Sequence, residues 1–389
     1  MTLVSSLGAG LAATAAALKR GTSGLRPCAF ETVTLETYVG AVEGIERHPL
    51  RPDLASFECR NNRIAQMALE SDGFAAAVAA ARDKYGPRRV GVFLGTSTSG
   101  ILQAELAYRR RAPETGALPS DFLYAKTHNT FSITDFVSRY LRLDGPAVAL
   151  SSACASTAKV FANAARMIAA GVCDAAVVGG ADSLCLTTLY GFHALALLSA
   201  APCRPFDLER DGISIGEGAG FALLEKPSPA MPSDAVMLLG VGESNDAYHM
   251  STPHPEGLGA RLAMERALAA AGLTAPAVDY VNLHGTATKV GDASEDQAVV
   301  ALFGRETPCS STKGHTGHML GAAGIAEAII AALVIRNDLL PGSPQTRRLD
   351  PALKCNYRLE TAAARVKRVM SNSFGFGGSN CSLVLASAG

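Results

Sequence analysis

The residues of this chain best placed for covalent chemistry are the run SSACAST at 151–157, centred on Cys154. Small side chains surround the sulfur. An apolar run, PAVAL at 146–150, precedes it, and an alanine-rich stretch with helical apolar spacing follows over 156–170. That order predicts a cysteine on a tight turn between a buried strand and a helix. The start of a helix directs free N–H groups and partial positive charge at such a sulfur. Both favour thiolate, the nucleophilic form. The other eight cysteines have no comparable setting and read as structural thiols.

Three further segments carry candidate chemistry. In NLHGTAT at 282–288, His284 ends an apolar strand, with Asp292 and Glu295 following. Sites collect at such sheet edges. In KGHTGH at 313–318, Lys313 and His318 precede MLGAAG and then Glu327. The run SNSFGFGGSN at 371–380 holds Phe374 and Phe376 among glycines, which let backbone N–H groups approach a ligand. Flanking residues single out His284 and His318. The other six histidines, His48, His128, His193, His249, His254 and His315, read as satisfied polar residues.

The elements that must position these groups are short apolar strands alternating with alanine-rich helices. Strands are predicted at 89–94, 146–150, 175–180, 235–242, 280–283, 368–373 and 382–386, and helices at 156–170, 259–271 and 322–335. AAVVGG at 175–180 is apolar throughout, as in a sheet covered on both faces. The pattern implies an α/β fold with buried sheets. A proline- and serine-rich stretch, 226–234, is the expected boundary between an N-terminal half, 1–225, and a C-terminal half, 226–389. The chain has 389 residues, 48% of them apolar and 18% charged, enough for a large core. Zero formal net charge gives no general attraction to nucleic acid or membrane surfaces. Nine cysteines without a CxxC pair imply reduced thiols and no zinc site. Lys19 and Arg20 follow the apolar N-terminal stretch instead of preceding it, unlike a signal peptide. A cytoplasmic protein is expected.

Together these segments resemble the β-ketoacyl-[acyl carrier protein] synthase I/II family of the thiolase-like superfamily. The likeness runs over residues 60–386. It includes Gly145-Pro146, the run RPFD at 204–207, GEGAG at 216–220 and SNDAYH at 244–249. The resemblance implies a thiolase-like fold: two similar βαβαβαββ halves packed as a five-layer αβαβα sandwich. It implies decarboxylative Claisen condensation of an acyl thioester on Cys154 with a malonyl carrier thioester, in fatty acid or polyketide/polyene synthesis. His284 and His318 match the two catalytic histidines, Lys313 the family lysine and Glu327 its ion-pair partner. Thr286 and Thr288 match threonines on the phosphopantetheine arm. Phe376 matches a gating residue whose N–H joins that of Cys154 in an oxyanion hole, and Phe374 supports it. No metal or separate cofactor is implied, since the substrate rides on acyl carrier protein. A homodimer is implied, with a heterodimer as the alternative.

Two departures stand out. The usual opening strand looks cut short at MTLVSSLG, so either the start is misplaced or a sheet loses an edge. Gly314 and His315 stand where the family more often has Ser and Met. Arg60, Arg63 and the run Arg109, Arg110 and Arg111 are candidates for steering an acidic carrier protein on exposed helix faces. Alternatives are a thiolase and a non-catalytic chain-length-factor partner. A thiolase uses a second cysteine in a CxGGG-like motif, whereas this loop reads GFGGSN with Cys381 after it. A chain-length factor lacks the nucleophile.

Overall fold

The computed structural model describes residues 1–229 and 231–389. Its frame is two six-stranded sheets of matching design. The first runs Gly8–Ala9, Thr2–Ser5, Gly218–Glu225, Ala175–Asp182, Val90–Gly95, Ala147–Leu150. The second runs Val236–Asn245, Ser379–Ser387, Arg368–Gly375, Tyr280–Asn282, Pro308–Ser310, Asn356–Tyr357. Each has a parallel run that meets antiparallel strands on one side. Every strand of the first sheet ends by Glu225, and every strand of the second begins at Val236 or later. The proline-rich boundary stretch between them includes residue 230, which lies outside the described residues.

Helices complete five layers. Arg60–Glu70, Phe74–Tyr85 and Ser132–Leu141 cover the outer face of the first sheet. Leu258–Ala271 covers the second, with Lys289–Phe303 packed beside it. Ser156–Ala169 and Ala323–Asn337 fill the space between the sheets. Strand Ala175–Asp182 is therefore buried at every position, as its unbroken apolar run predicts. Every residue from Ala323 to Ile335 is buried too, as required of a helix packed all round. Leu320–Asn337 is long and apolar enough to cross a bilayer, but it is 89% buried, so core packing accounts for its hydropathy. The two central helices meet at backbone distance: a Cβ on Gly324 would lie 2.6 Å from the Ala158 nitrogen. The predicted strands and helices all form, within a few residues of their expected ends.

The opening segment forms a strand of the first sheet. Thr2–Ser5 is fully buried and pairs with Gly218–Glu225 on one side and Gly8–Ala9 on the other. Its short apolar run suffices because the helix Arg60–Glu70 covers it. Arg60 is not a free surface cation. Its guanidinium pairs with Glu217, which is 0% exposed, and with Glu46. Glu217 also accepts the N–H groups of Val42 and Leu184, which fixes two loops. Arg63 pairs with Glu58, Arg109 with Glu31 and Arg110 with Asp121. The amphipathic pattern places these residues near a surface but does not reveal carboxylates distant in sequence. Arg60→Ala would strand Glu217 as a buried, unpaired carboxylate. The expected cost is about 3–5 kcal/mol, whereas Arg110→Ala on the exposed surface should leave stability nearly unchanged. Urea denaturation of both variants checks the contrast.

Candidate active site

Cys154 sits between strand Ala147–Leu150 and helix Ser156–Ala169, on the predicted turn. The turn is bent sharply enough that Ala153 takes φ of +50°, a left-handed conformation costing about 1–2 kcal/mol for a residue with a Cβ. The glycine-rich hairpin between Arg368–Gly375 and Ser379–Ser387 lies directly over this turn. A Cβ on Gly375 would stand 3.1 Å from the Cys154 nitrogen and 3.2 Å from that of Ala155, which leaves little room for a side chain there. The Phe376 N–H is directed at the Cys154 sulfur.

The three distant segments converge. Cys154 Sγ is 3.0 Å from His318 Nε2. The rings of His284 and His318 meet edge-on at 5.2 Å, and Phe374 lies 6.1 Å from His284. Lys313 donates to Glu327 and to the His284 carbonyl, and its Nζ is 3.3 Å from His284 Nδ1. An ammonium can only donate, so Nδ1 is the acceptor and the His284 proton sits on Nε2. A cavity of 530 Å³ is lined by Cys154, His284, His318, Thr286, Thr288, Phe374 and Phe376. Phe376 packs tilted against Phe192, ring centres 5.6 Å apart, in its wall. Thr286 and Thr288 share a 3.1 Å hydroxyl contact, and Thr288 also caps helix Lys289–Phe303 by accepting from Gly291. Cys381 is buried in the hairpin strand and does not line the cavity.

Electrostatics here are set by burial. Both histidines are held well below the ordinary 6.5, first by desolvation and then by the Lys313 charge. Each imidazole is thus uncharged at neutral pH. Burial pushes the Glu327 carboxyl up to about 7, with Lys313 acting against it. The bias toward thiolate expected at Cys154 is reversed. Burial pushes the thiol up to about 11, outweighing the opposing pull of Lys313 and the Phe376 N–H. A helix start favours thiolate only where solvation is retained. The sulfur, His284 and His318 lie within 4.8 Å of one another, donors that suit a soft divalent ion. The Lys313 charge beside His284 opposes a cation there.

Several positioning groups escaped the sequence reading. Asp182 is 0% exposed, and one of its oxygens accepts from Thr96, Thr98 and the Ser97 and Thr98 N–H groups. Its other oxygen accepts from Ala322, just past His318. Ser97 in turn donates to the Ala153 carbonyl. Glu295, noted in the sequence without a role, accepts the N–H groups of His284 and Gly285. Thr157 ties the nucleophile helix to Gly321 and Ile325. No local sequence signal identifies these groups, because each works across the fold.

A five-layer fold with one cysteine at the head of a central helix defines a thiolase-like condensing fold. Residues 56–230 match the beta-ketoacyl synthase N-terminal domain and residues 235–347 its C-terminal domain. The chain belongs to the beta-ketoacyl synthase family. It is 33% identical over 386 residues to 3-oxoacyl-[acyl-carrier-protein] synthase 2 of Vibrio cholerae, covering 91% of this chain and 89% of that one. It is 40% identical over 269 residues to the mitochondrial 3-oxoacyl-[acyl-carrier-protein] synthase of Arabidopsis thaliana, covering 64% of this chain and 58% of that one. A chain of the solved complex of a ketosynthase with its chain length factor from Xenorhabdus doucetiae superposes with a TM-score of 0.88. The identity is 37%, and the match covers 100% of this chain and 96% of that one.

Proposed function

We propose that this chain is a 3-oxoacyl-[acyl-carrier-protein] synthase of the I or II type, with Cys154 as the acylated nucleophile. The observation that carries the reading is the convergence of one thiol and two uncharged imidazoles on a single cavity. The acyl group arrives as a carrier-protein thioester, its arm running past Thr286 and Thr288. Cys154 attacks the carbonyl. Its proton leaves on the departing pantetheine sulfur. The N–H groups of Cys154 and Phe376 receive the oxyanion, each worth about 3–4 kcal/mol in comparable sites. Phe376, packed on Phe192, gates the approach, and Phe374 supports the His284 ring.

A malonyl carrier thioester then replaces the first carrier. Its carboxylate leaves as carbon dioxide, and the bonding pair passes into an enolate. His284 and His318 each donate one N–H to the thioester oxygen as charge develops there. Both can do so because they are neutral. The enolate carbon attacks the Cys154 thioester, the tetrahedral intermediate collapses, and the β-ketoacyl chain departs on its carrier while Cys154 leaves as a thiolate that takes up a proton from solvent. Lys313, held by Glu327, keeps His284 in the donor tautomer. The residues supply every group these steps need, with no metal or separate cofactor.

The partner is acyl carrier protein. Strand Ala147–Leu150 ends the first sheet with an apolar, partly exposed edge. Such an edge calls for pairing, which suits a second chain of the same fold, identical or a chain-length factor. Nine free thiols suit a reducing compartment such as the cytoplasm. The pathway is fatty acid or polyketide/polyene synthesis. Intact-mass spectrometry after incubation with acyl carrier proteins of graded chain length tests the reading. One acyl adduct per chain, mapped to the peptide holding Cys154, is expected. No adduct with any carrier, or an adduct elsewhere, overturns it.

A further inference from the structure

His315, on the turn that carries Lys313, is 0% exposed and lies outside the catalytic cavity. Its Nδ1 is 2.7 Å from the Thr22 carbonyl oxygen, and its Nε2 is 3.2 Å from that of Gly342. Carbonyls only accept. A neutral imidazole owns one N–H, so it would set one ring lone pair against a carbonyl lone pair. An imidazolium donates to both. Thr22 lies just past the C-terminal end of helix Leu11–Arg20, where the helix dipole favours a cation.

The backbone repeats the grip. Ser23 donates to the Gly314 carbonyl and Gly24 to that of His315, both at 2.8 Å. The turn itself, Lys313–Thr316, is four residues long. A single helical turn does not hold itself together. Two residues later comes His318. On the other flank, Gly342 follows the helix that carries Glu327. The His315 ring therefore joins the turn bearing Lys313 to the chain beyond its counterion.

We propose that His315 is a positioning residue, a two-carbonyl clamp that seats the Lys313–His318 turn and is complete only when both ring nitrogens carry protons. Titratable and charged groups on the elements packed around it are Lys313 on its own turn, the neutral His318 two residues past it, Arg20 and Arg26 on either side of Thr22, and Glu360. Glu360 neighbours Thr361, whose hydroxyl accepts from Gly342. Among the described residues none of these side chains hydrogen-bonds the ring. Burial lowers the His315 pKa from its ordinary 6.5, and the two carbonyls act the other way. The complete clamp therefore gains population as pH falls. When one proton leaves, the shorter contact to Thr22 holds and that to Gly342 is released.

The inference rests on the proposed condensation chemistry. The test uses the full chain and its His315→Met and His315→Gln variants. Decarboxylation of malonyl carrier protein is followed from about pH 5 to 8, the range over which a histidine changes charge. The ¹⁵N resonances of the ring are recorded alongside. The Met variant is expected to lose roughly ten- to a hundredfold in kcat, the scale of a misplaced catalytic group, with KM unchanged. The ratio of wild-type to Met-variant rates should be largest at the acid end and shrink as pH rises; taking a ratio cancels the titration of the surrounding groups. Glutamine supplies an N–H that does not titrate, so it should restore part of kcat and flatten the ratio's pH dependence. Two protonated ring nitrogens should appear at the acid end in the wild type. A Met variant as fast as wild type, a pH-independent ratio, or a singly protonated ring throughout overturns the clamp. Wild-type protein that never decarboxylates the carrier overturns the proposed function instead, and the ring resonances still decide the clamp.

Discussion

Cys154→Ala is expected to abolish condensation, by roughly 10⁶-fold, the scale seen when a covalent nucleophile is removed, yet to spare decarboxylation of the malonyl carrier. The two half-reactions use different groups in one cavity. Acyl transfer needs the sulfur, which lies 3.0 Å from His318 Nε2. Carbon dioxide loss needs hydrogen-bond donors at the thioester oxygen, and His284 and His318 remain in place. Cys154 is buried and flanked by small residues, so alanine fits without rearrangement and leaves only a small void. Decarboxylation should stay within about an order of magnitude of wild type, since the donors that stabilise the enolate are intact. Carbon dioxide release and β-ketoacyl product, measured on the same samples, separate the two. Loss of both together would mean that the sulfur helps to build the donor site as well as serving as nucleophile.

The convergence of Cys154, His284, Lys313 and His318 is legible in short stretches of sequence because each sits in a run with distinctive flanks. The alternation of apolar strands and alanine-rich helices located the elements for the same reason: periodicity is local. What stayed hidden acts over distance. Arg60 looks like a surface cation beside Arg63, and only the fold brings it to Glu217, 157 residues away. Asp182 reads as the polar end of an apolar strand, yet it organises a loop 84–86 residues upstream and a segment 140 residues downstream. The Cys154 thiol shows the limit most clearly. The strand-to-helix turn is a local feature and points toward thiolate. Desolvation is a property of the whole five-layer stack and outweighs it. In the sequence His315 reads as a satisfied polar residue. It is indeed satisfied, but the meaning lies in what satisfies it: two acceptors, from segments 293 and 27 residues away in sequence.

The second large effect concerns charge beside the donors. After burial itself, the Lys313 charge is the strongest influence holding both His284 and His318 below their ordinary pKa. Lys313→Met removes that charge while keeping much of the side-chain volume. Glu327 need not be left as a buried anion, because burial already raises its pKa to about 7 and loss of Lys313 raises it further, so it takes up a proton. The fold should therefore survive, as a thermal melt would show. The chemistry should not. An imidazole can act as a neutral donor only above its pKa, so the acid limb of decarboxylation in the wild type lies well below pH 6.5. Removing a nearby positive charge raises both pKa values. The limb should move toward higher pH, as expected when a close like charge is removed. His284 also loses the ammonium that keeps its proton on Nε2, so the tautomer facing the substrate is no longer enforced. Even on the pH plateau kcat should fall by roughly a hundredfold, comparable to loss of one preorganised donor. An unmoved acid limb with a lowered plateau would assign Lys313 to tautomer control alone, whereas a moved limb with an unchanged plateau would assign it to the electrostatic role.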